Sequence, residues 1–225
     1  MTTTAAPPVE LIGRGLRFAQ HGTQILHGID ITLRAGERVA LTGPSGSGKS
    51  TLLSLLAGLG TPTGGDVLLD GRPLDAHGAD LRRRVGVVFQ GYALVALLTA
   101  AENVELALMA TGMSAAEAAA RTRETLEVVG LADRGEHLVE ELSGGQQQRV
   151  AIARALASRP DVLLADEPSA EQDHANRAAI LDAILGAADT GTAVLLATHD
   201  ADVALRCDRR AHLVDGRLST PEELA

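Results

Sequence analysis

A glycine-rich segment in the first quarter of the chain has the residue types of a phosphate-binding loop. It consists of Gly43, Pro44, Ser45, Gly46, Ser47, Gly48, Lys49, Ser50 and Thr51. The segment fits the pattern G-x-x-x-x-G-K-[ST], in which backbone N–H groups and the positive end of the next helix surround phosphate oxygens. Lys49 would supply a charge for the β- and γ-phosphates, and Ser50 a hydroxyl ligand for Mg²⁺. For this pattern alone, an ordinary glycine-rich turn before a helix stays an alternative.

Two adjacent carboxylates, Asp166 and Glu167, follow an apolar run that starts at Val162. Together with the glycine-rich loop they predict a metal-assisted reaction at a phosphate group. We expect Asp166 to hold the Mg²⁺ shell through water. Glu167 would point in a different direction and orient or deprotonate the attacking water as the catalytic base. An isolated Asp-Glu pair before proline is more often a helix cap or a solvated turn, and only its combination with the loop favours catalysis.

Short apolar segments are the elements that would position these residues. A strand over residues 37–42 leads into the loop, and residues 50–58 are apolar at helical spacing. The runs Val162–Ala165 and Ala193–Ala197 contain no polar residue, which is typical of parallel strands buried on both faces. Helical sequence such as residues 176–185 would supply the crossovers. Ligand groups are expected at the carboxyl ends of such strands.

The remaining sequence predicts two additions to this core. Residues 11–33 mix β-forming residues with glycine, with short strands predicted at 24–26 and 29–33, and indicate an N-terminal antiparallel layer. Residues 101–132 are rich in Ala, Glu and Leu and predict helices broken at glycines. We interpret this second region as a helical insertion.

Composition limits the classes of function. The 225 residues carry a formal net charge of −9, which disfavours binding to nucleic acid and to anionic lipid. The longest apolar stretch, residues 92–101, is well below the ~20 residues that a membrane-spanning helix needs, so no direct membrane insertion is expected. The first ten residues lack the layout of a secretory signal and predict a flexible tail. Cys207 is the single cysteine and is interpreted as a buried structural thiol.

A further motif resembles the signature of ATP-binding cassette (ABC) ATPases. It covers residues 142–149 and contains Ser143, Gly144 and Gly145 at the start of a helix predicted over residues 146–156. Such a helix start is a second anion-binding site, although a flexible turn with a helix cap is the alternative for this motif alone. The resemblance implies that ATP and Mg²⁺ bind. It also implies a head-to-tail dimer, in which the signature of one subunit covers the γ-phosphate bound to the other.

Other positions match the family in chain order. Residues 87–90 resemble its glutamine loop, which implies that Gln90 contacts Mg²⁺ or the attacking water. Residues 197–200 resemble its switch-histidine motif, which implies that His199 lies near the γ-phosphate. A lone histidine is otherwise more often structural. Phe18 stands roughly where the family stacks an aromatic ring on adenine, with core packing as its alternative.

The resemblance extends from about residue 11 to residue 216 and implies the fold class. We expect an α/β fold with a P-loop NTPase core, a mainly parallel sheet, an N-terminal antiparallel β layer and an inserted helical subdomain. The predicted organisation is one ABC ATPase domain over residues 1–225, with the core and β layer at about 11–90 and 151–216, the helical subdomain at about 91–150 and the tail at 1–10.

Residues 163–168 and 98–104 most resemble one bacterial subgroup of the family, which includes lipoprotein-release, macrolide-export and cell-division ATPases. Ala93 and Ala96 depart from this subgroup, which commonly has Asn and Pro in that stretch. In the family this region docks the permease, so the departure bears on the identity of the partner.

A second departure falls in the D-loop. Residues 169–173 read Ser-Ala-Glu-Gln-Asp, where the family usually continues with small residues before Leu and Asp. Because the D-loop lies at the subunit interface in the family, Glu171 and Gln172 are candidates for altering dimer packing or for lowering hydrolysis.

The resemblance implies an ATP-hydrolysing subunit that forms a homodimer around two Mg·ATP and drives a separate integral-membrane permease, of export or mechanotransmission type. Such a subunit is cytoplasmic and is held at the inner face of the membrane through its permease. Two alternatives stay open. One is a soluble ABC ATPase that is not linked to transport, and the other is an ATP-dependent dimer clamp with weak hydrolysis, which the D-loop departures favour.

Overall fold

The computed structural model describes residues 9–74, 79–169 and 174–219. Among these residues, no helix is both long and apolar enough to span a bilayer. In chain order, the strands and helices are β1 (Glu10–Gln20), β2 (Thr23–Arg34), β3 (Arg38–Thr42), α1 (Lys49–Leu56), β4 (Gly64–Leu69), β5 (Arg72–Pro73), α2 (Ala79–Arg82), β6 (Val85–Val88), α3 (Ala100–Met109), α4 (Ala115–Val128), α5 (Gly144–Ala157), β7 (Val162–Asp166), α6 (His174–Gly186), β8 (Ala193–Ala197), α7 (Ala201–Leu205), β9 (Arg209–Val214) and β10 (Arg217–Ser219).

The strands of the described residues form two sheets. One is antiparallel and has the strand order β2-β1-β4-β5. The other has the order β10-β9-β3-β8-β7-β6, and all its neighbouring strands are parallel except β10, which pairs antiparallel with β9 at the edge. The structure therefore confirms the predicted α/β fold, with a mainly parallel sheet beside an N-terminal antiparallel layer.

Each face of the parallel sheet packs against a different layer. Leu164 and Leu195 belong to a hydrophobic cluster that includes residues of α1 and of the antiparallel sheet. Leu163 and Leu196 belong to a second cluster, with residues of α3, α5 and α6. Successive side chains of a strand point to opposite faces, so β7 and β8 are buried along their whole length. This explains why their sequences contain apolar runs without alternation.

Two expectations for the first strands differ from the structure. The segments 24–26 and 29–33, predicted as separate strands, belong to the continuous strand β2. Its register against β1 shifts at Gly28, which has a φ of 94°. Glycine adopts this conformation readily, so the strand bulges there without ending. The predicted tail reached residue 10, but β1 already begins at Glu10; residues 1–8 lie outside the described residues.

Helices α3, α4 and α5 each begin with a capping box. In each case a side-chain oxygen accepts a hydrogen bond from the backbone N–H three residues later, and that later residue's side chain accepts one in return. The pairs are Thr99 with Glu102, Ser114 with Glu117, and Ser143 with Gln146. The hydrogen bonds from Ser114 lower the pKa of the Glu117 carboxyl. Since capping satisfies N–H groups that lack a partner inside the helix, these residues determine where the helices begin.

The turn between β9 and β10 joins the glycine-rich loop to the antiparallel sheet. The Gly216 N–H donates to the carbonyl of Ser47 at 3.2 Å, and the Gly216 carbonyl accepts from the His27 N–H at 2.9 Å. A Cβ atom on Gly216 would lie 1.9 Å from the carbonyl oxygen of Ile25. The close approach of these backbones therefore requires glycine at position 216, and no motif in the sequence indicated this contact.

Cys207 lies just after α7 and is half-buried. Its Sγ donates to the Val203 carbonyl at 3.8 Å. Burial, followed by the charge of Asp208, raises the pKa of the Cys207 thiol to about 11. Because the thiolate is the reactive form of cysteine, the raised pKa supports a structural role for Cys207, but the side chain is half-buried where a buried one is predicted.

We predict that Cys207 reacts slowly with iodoacetamide in the folded protein. A thiol pKa of about 11, against an ordinary 9.0, lowers the thiolate fraction at pH 8 about a hundredfold. The alkylation rate, followed by mass spectrometry, should therefore rise by about that factor when the chain is unfolded in guanidinium chloride. Equal rates for the folded and unfolded chain would contradict this assignment.

We predict that Gly216→Ala destabilises the protein more than Gly22→Ala. The φ angles of these glycines are 68° and 80°, so alanine is strained at either position by about 1–2 kcal/mol. A methyl group meets backbone only at Gly216, whereas Gly22 has open space around it. We expect urea denaturation to show a loss of about 1 kcal/mol for Gly22→Ala and about 3 kcal/mol or more for Gly216→Ala. Similar losses for both variants would mean that the turn can move away from β2.

Candidate functional site

A cavity of about 470 Å³ lies where the glycine-rich loop meets the carboxyl ends of the parallel strands. It is lined by Ile25, Ser45, Gly46, Gly48, Lys49, Ser50, Thr51, Gln90, Asp166, Glu167 and His199. The loop, the glutamine, the two carboxylates and the histidine were each predicted from separate stretches of sequence. The structure brings them to one place.

Strand register explains why residues far apart in sequence meet at this cavity. Asp166 at the end of β7 stands opposite Ala197 at the end of β8, and Ala197 stands opposite Leu41 in β3. Because these strands are parallel, the segments that follow them leave the sheet at the same edge. Strand β6 pairs in parallel with β7 and ends at this edge as well, just before Gln90.

The loop presents positive charge and free helix donors to the cavity. Helix α1 begins at Lys49, and its N-cap residue Gly48 provides no side-chain hydrogen bond to the first N–H groups. Uncapped N–H groups at a helix start form an anion-binding site. The Lys49 Nζ donates to the carbonyls of Gly43 at 2.8 Å and Pro44 at 3.0 Å, which holds the ammonium group against the loop.

The cavity lining also supplies oxygen atoms. Ser50, Gln90 and Asp166 all line the cavity, and Asp166 is buried. Hydroxyl, amide and carboxylate oxygens are the ligands that Mg²⁺ prefers in proteins. With an ammonium group and a helix start on the loop side, the residues present fit a polyphosphate that carries a magnesium ion.

Glu167 and His199 form a hydrogen-bonded pair. The Nδ1 of His199 lies 2.9 Å from the Oε1 of Glu167, and the Glu167 side chain is 16 % exposed while that of His199 is 75 % exposed. The backbone of Glu167 has a φ of 47°, a left-handed conformation that is uncommon for non-glycine residues. Its N–H donates to the Ala197 carbonyl at 3.0 Å. This turn after β7 places the carboxylate against the imidazole.

Three of the predicted loop residues, Gly43, Pro44 and Ser47, support the loop and do not line the cavity. A Cβ atom on Gly43 would lie 2.0 Å from the Leu213 carbonyl oxygen, so the loop can approach β9 only with glycine there. The Ser47 N–H donates to the Pro44 carbonyl at 3.3 Å, and the Ser47 side chain is buried. These residues form the base on which the cavity-lining part of the loop rests.

The signature residues and Phe18 lie outside the cavity lining. Ser143 caps α5, where its Oγ accepts from the Gln146 N–H at 3.3 Å, and neither Gly144 nor Gly145 lines the cavity. Phe18 packs against the hydrophobic core, so its contact with adenine stays a prediction. Residues 170–173 of the D-loop lie outside the described residues.

Ile25 is a cavity residue that the sequence analysis missed. It lies in β2 and contributes an apolar side chain to the cavity wall beside the loop. In the sequence it belongs to an alternating β pattern, and nothing in such a pattern distinguishes a core residue from one that lines a cavity.

Comparisons with known proteins show the family of this chain. A family model described as ABC transporter matches residues 26–170. The uncharacterized ABC transporter ATP-binding protein YbbA of Escherichia coli (strain K12) is 44% identical over 213 residues, which cover 92% of this chain and 92% of YbbA. The macrolide export ATP-binding/permease protein MacB of Nitrosomonas europaea is 41% identical over 229 residues, which cover 97% of this chain and 34% of MacB.

Solved structures show the same relationship. The dimeric structure of a post-hydrolysis state of the ATP-binding cassette MJ0796, bound to ADP and Pi, superposes with a TM-score of 0.86 and 35% sequence identity. The match covers 93% of this chain and 97% of that structure's chain. The chain therefore belongs to the ABC transporter family, as one of its ATP-binding cassette ATPases.

Proposed function

We propose that this cassette binds Mg·ATP in the cavity and hydrolyses it as one of two identical subunits that drive a separate membrane permease. One observation carries the proposal. A single cavity combines the positive loop with Lys49, the oxygen ligands Ser50 and Asp166, and the paired side chains of Glu167 and His199. These are the groups that phosphate binding, metal binding and proton transfer require.

The glycine-rich loop would bind the phosphates of ATP. The phosphates would lie against the uncapped start of α1 and the ammonium group of Lys49, which its two carbonyl partners already hold in place. Ser50, Gln90 and Asp166 would hold Mg²⁺, as expected from their oxygen atoms. When bound, the ion would neutralise charge on the phosphate oxygens.

Glu167 is the proposed catalytic base. A carboxylate that is largely shielded from solvent, but opens on the cavity, can accept a proton from a water molecule held beside a phosphate. The hydrogen bond with His199 fixes the direction of one carboxylate oxygen. His199 is much more exposed than Glu167 and extends from the end of β8, so we assign it the contact with the γ-phosphate as well.

The position of the signature motif supports a dimer. Helix α5 begins with two glycines after its N-cap Ser143, and this anion-binding helix start lies outside the cavity of its own chain. A second copy, arranged head to tail, would bring Ser143, Gly144 and Gly145 to the γ-phosphate in the first copy's cavity. The related cassette MJ0796 forms a dimer in its solved structure, which is consistent with this arrangement.

Apolar side chains in the helical region support a membrane partner. Val95 and Leu97 precede α3, and Leu106 and Met109 lie on it; all are exposed, and Leu97 is 82% exposed. A group of exposed apolar side chains on one surface can bind a partner, and these four lie between residues 95 and 109. We propose that they dock on the permease at the cytoplasmic face of the membrane. The similarity to a part of MacB, whose name joins an ATP-binding and a permease function in macrolide export, favours the export type.

We predict that Glu167→Gln lowers kcat for ATP hydrolysis about a hundredfold or more, since the amide cannot accept the proton. Binding of a fluorescent ATP analogue should change little, because the loop and Lys49 are intact. Glu127→Gln on α4 is the matched control and should retain wild-type kcat. The proposal of an active ATPase fails if the wild type shows no turnover with or without its permease, or if Glu167→Gln is as active as the wild type.

We predict that Glu167→Gln with Mg·ATP sediments as a dimer. Adding Ser143→Asp should abolish this dimer, because aspartate still caps the helix but places a negative charge where the γ-phosphate would lie. Ser114→Asp makes the same change at the N-cap of α4 and should leave the dimer intact. A monomer at every ATP concentration, or equal dimerisation of both Asp variants, would argue against the head-to-tail arrangement.

A further inference from the structure

The backbone that follows Gln90 has an unusual conformation. Tyr92 and Ala93, two consecutive residues, have φ angles of 57° and 51°. The Tyr92 N–H donates to the Phe89 carbonyl at 3.2 Å, and the Ala93 N–H donates to the Gly91 carbonyl at 2.6 Å. Non-glycine residues rarely adopt positive φ, and such a turn persists only where its surroundings hold it.

Arg154 on α5 holds this turn. Its Nη2 donates to the Tyr92 carbonyl at 2.9 Å, and its Nη1 donates to the Ala93 carbonyl. The guanidinium group thereby binds both carbonyls of the left-handed pair at once. A planar group with donors in a fixed fork suits two adjacent acceptors better than the single ammonium group of lysine does.

The position of Arg154 on α5 also suits it to hold the turn at Tyr92 and Ala93. Burial lowers the pKa of the Arg154 guanidinium, and the group still remains charged at neutral pH. Ala153 and Ala155, on either side, are buried in the contact between α5 and its neighbours. The base of the side chain is therefore fixed, and its charged end meets backbone carbonyls of the segment after Gln90.

The other end of the segment is held separately. Asn103 on α3 is buried, accepts from the Val95 N–H at 2.8 Å, and donates to the Val95 carbonyl at 3.1 Å. The segment is thus attached to α3 at Val95 and to α5 at Tyr92 and Ala93. Of these attachments, the one made by Arg154 is nearer to Gln90.

We infer that Arg154 is a positioning residue of the nucleotide site, which sets the place of Gln90 at the cavity by binding the carbonyls of Tyr92 and Ala93. The inference rests on the proposed function, in which Gln90 serves the metal or the attacking water. Helix α5 carries the signature Ser143 at its other end, about 16 Å away at 1.5 Å per residue. One rigid helix therefore presents the signature to a second subunit and holds the glutamine segment of its own.

The first test needs no nucleotide. Hydrogen exchange of residues 89–95 should become faster in Arg154→Met than in the wild type, because the turn loses both donors. Arg154→Lys should be intermediate, since lysine retains the charge but not the fork. Arg121→Met is the matched control: the Arg121 Nη1 donates to the Ala157 carbonyl at the end of α5 at 3.2 Å, so the variant loses a similar bond at another place. Unchanged exchange of residues 89–95 in Arg154→Met would overturn the inference, whatever the ATPase activity.

The second test asks whether Arg154 acts through Gln90. Arg154→Met should lower kcat about 10- to 100-fold with little change in the affinity for a fluorescent ATP analogue, and Arg121→Met should keep wild-type kcat. In a Gln90→Ala background, Arg154→Met should have almost no further effect on kcat, because residues that act through one another are not additive. Full additivity of the two substitutions would overturn the inference. If the wild type lacks ATPase activity, the proposed function fails and the hydrogen exchange alone decides the role of Arg154.

Discussion

The parallel pairing of β3, β8, β7 and β6 is the constraint on which the rest of the structure depends. These strands are held in register by hydrogen bonds and by apolar side chains buried on both faces. Their carboxyl ends are therefore level, and the loop after β3, Gln90 after β6, Glu167 after β7 and His199 after β8 emerge at one edge. A shift of one strand by one residue would exchange its two faces and separate these groups, so the core that stabilises the fold also assembles the site.

In the proposed function, the starts of two helices contact the phosphates. Helix α1 opens on the cavity beside Lys49, and its start has no side-chain cap. The residues at the start of α5 do not line that cavity, and Ser143 caps this helix. The signature motif thus lies outside the cavity of its own chain, and this is the physical reason for proposing that a second copy completes the site. Within each subunit, Arg154 would then connect α5, which begins after Ser143, to the segment that follows Gln90.

Much of this could be predicted from the sequence, because the residues concerned are constrained locally. The glycine-rich loop, the apolar runs of β7 and β8 and the capping residues of the helices each have a recognisable pattern within a few positions. No such local pattern marks three other features. These are the bulge at Gly28, the fit of Gly216 against Ile25, and the hydrogen bonds from Arg154 to the segment after Gln90. They depend on backbones that meet only after folding, and a single sequence contains no signal for such contacts.

Ligand positions in the closed assembly test the proposed mechanism most directly. We would determine the crystal structure of Glu167→Gln with Mg·ATP. We expect Lys49 at the phosphates, Ser50 and Asp166 at the metal, and Ser143 of a second copy at the γ-phosphate in each cavity. ATP bound elsewhere, or a γ-phosphate contacted by its own chain alone, would contradict the proposal that two cassettes share their nucleotide sites.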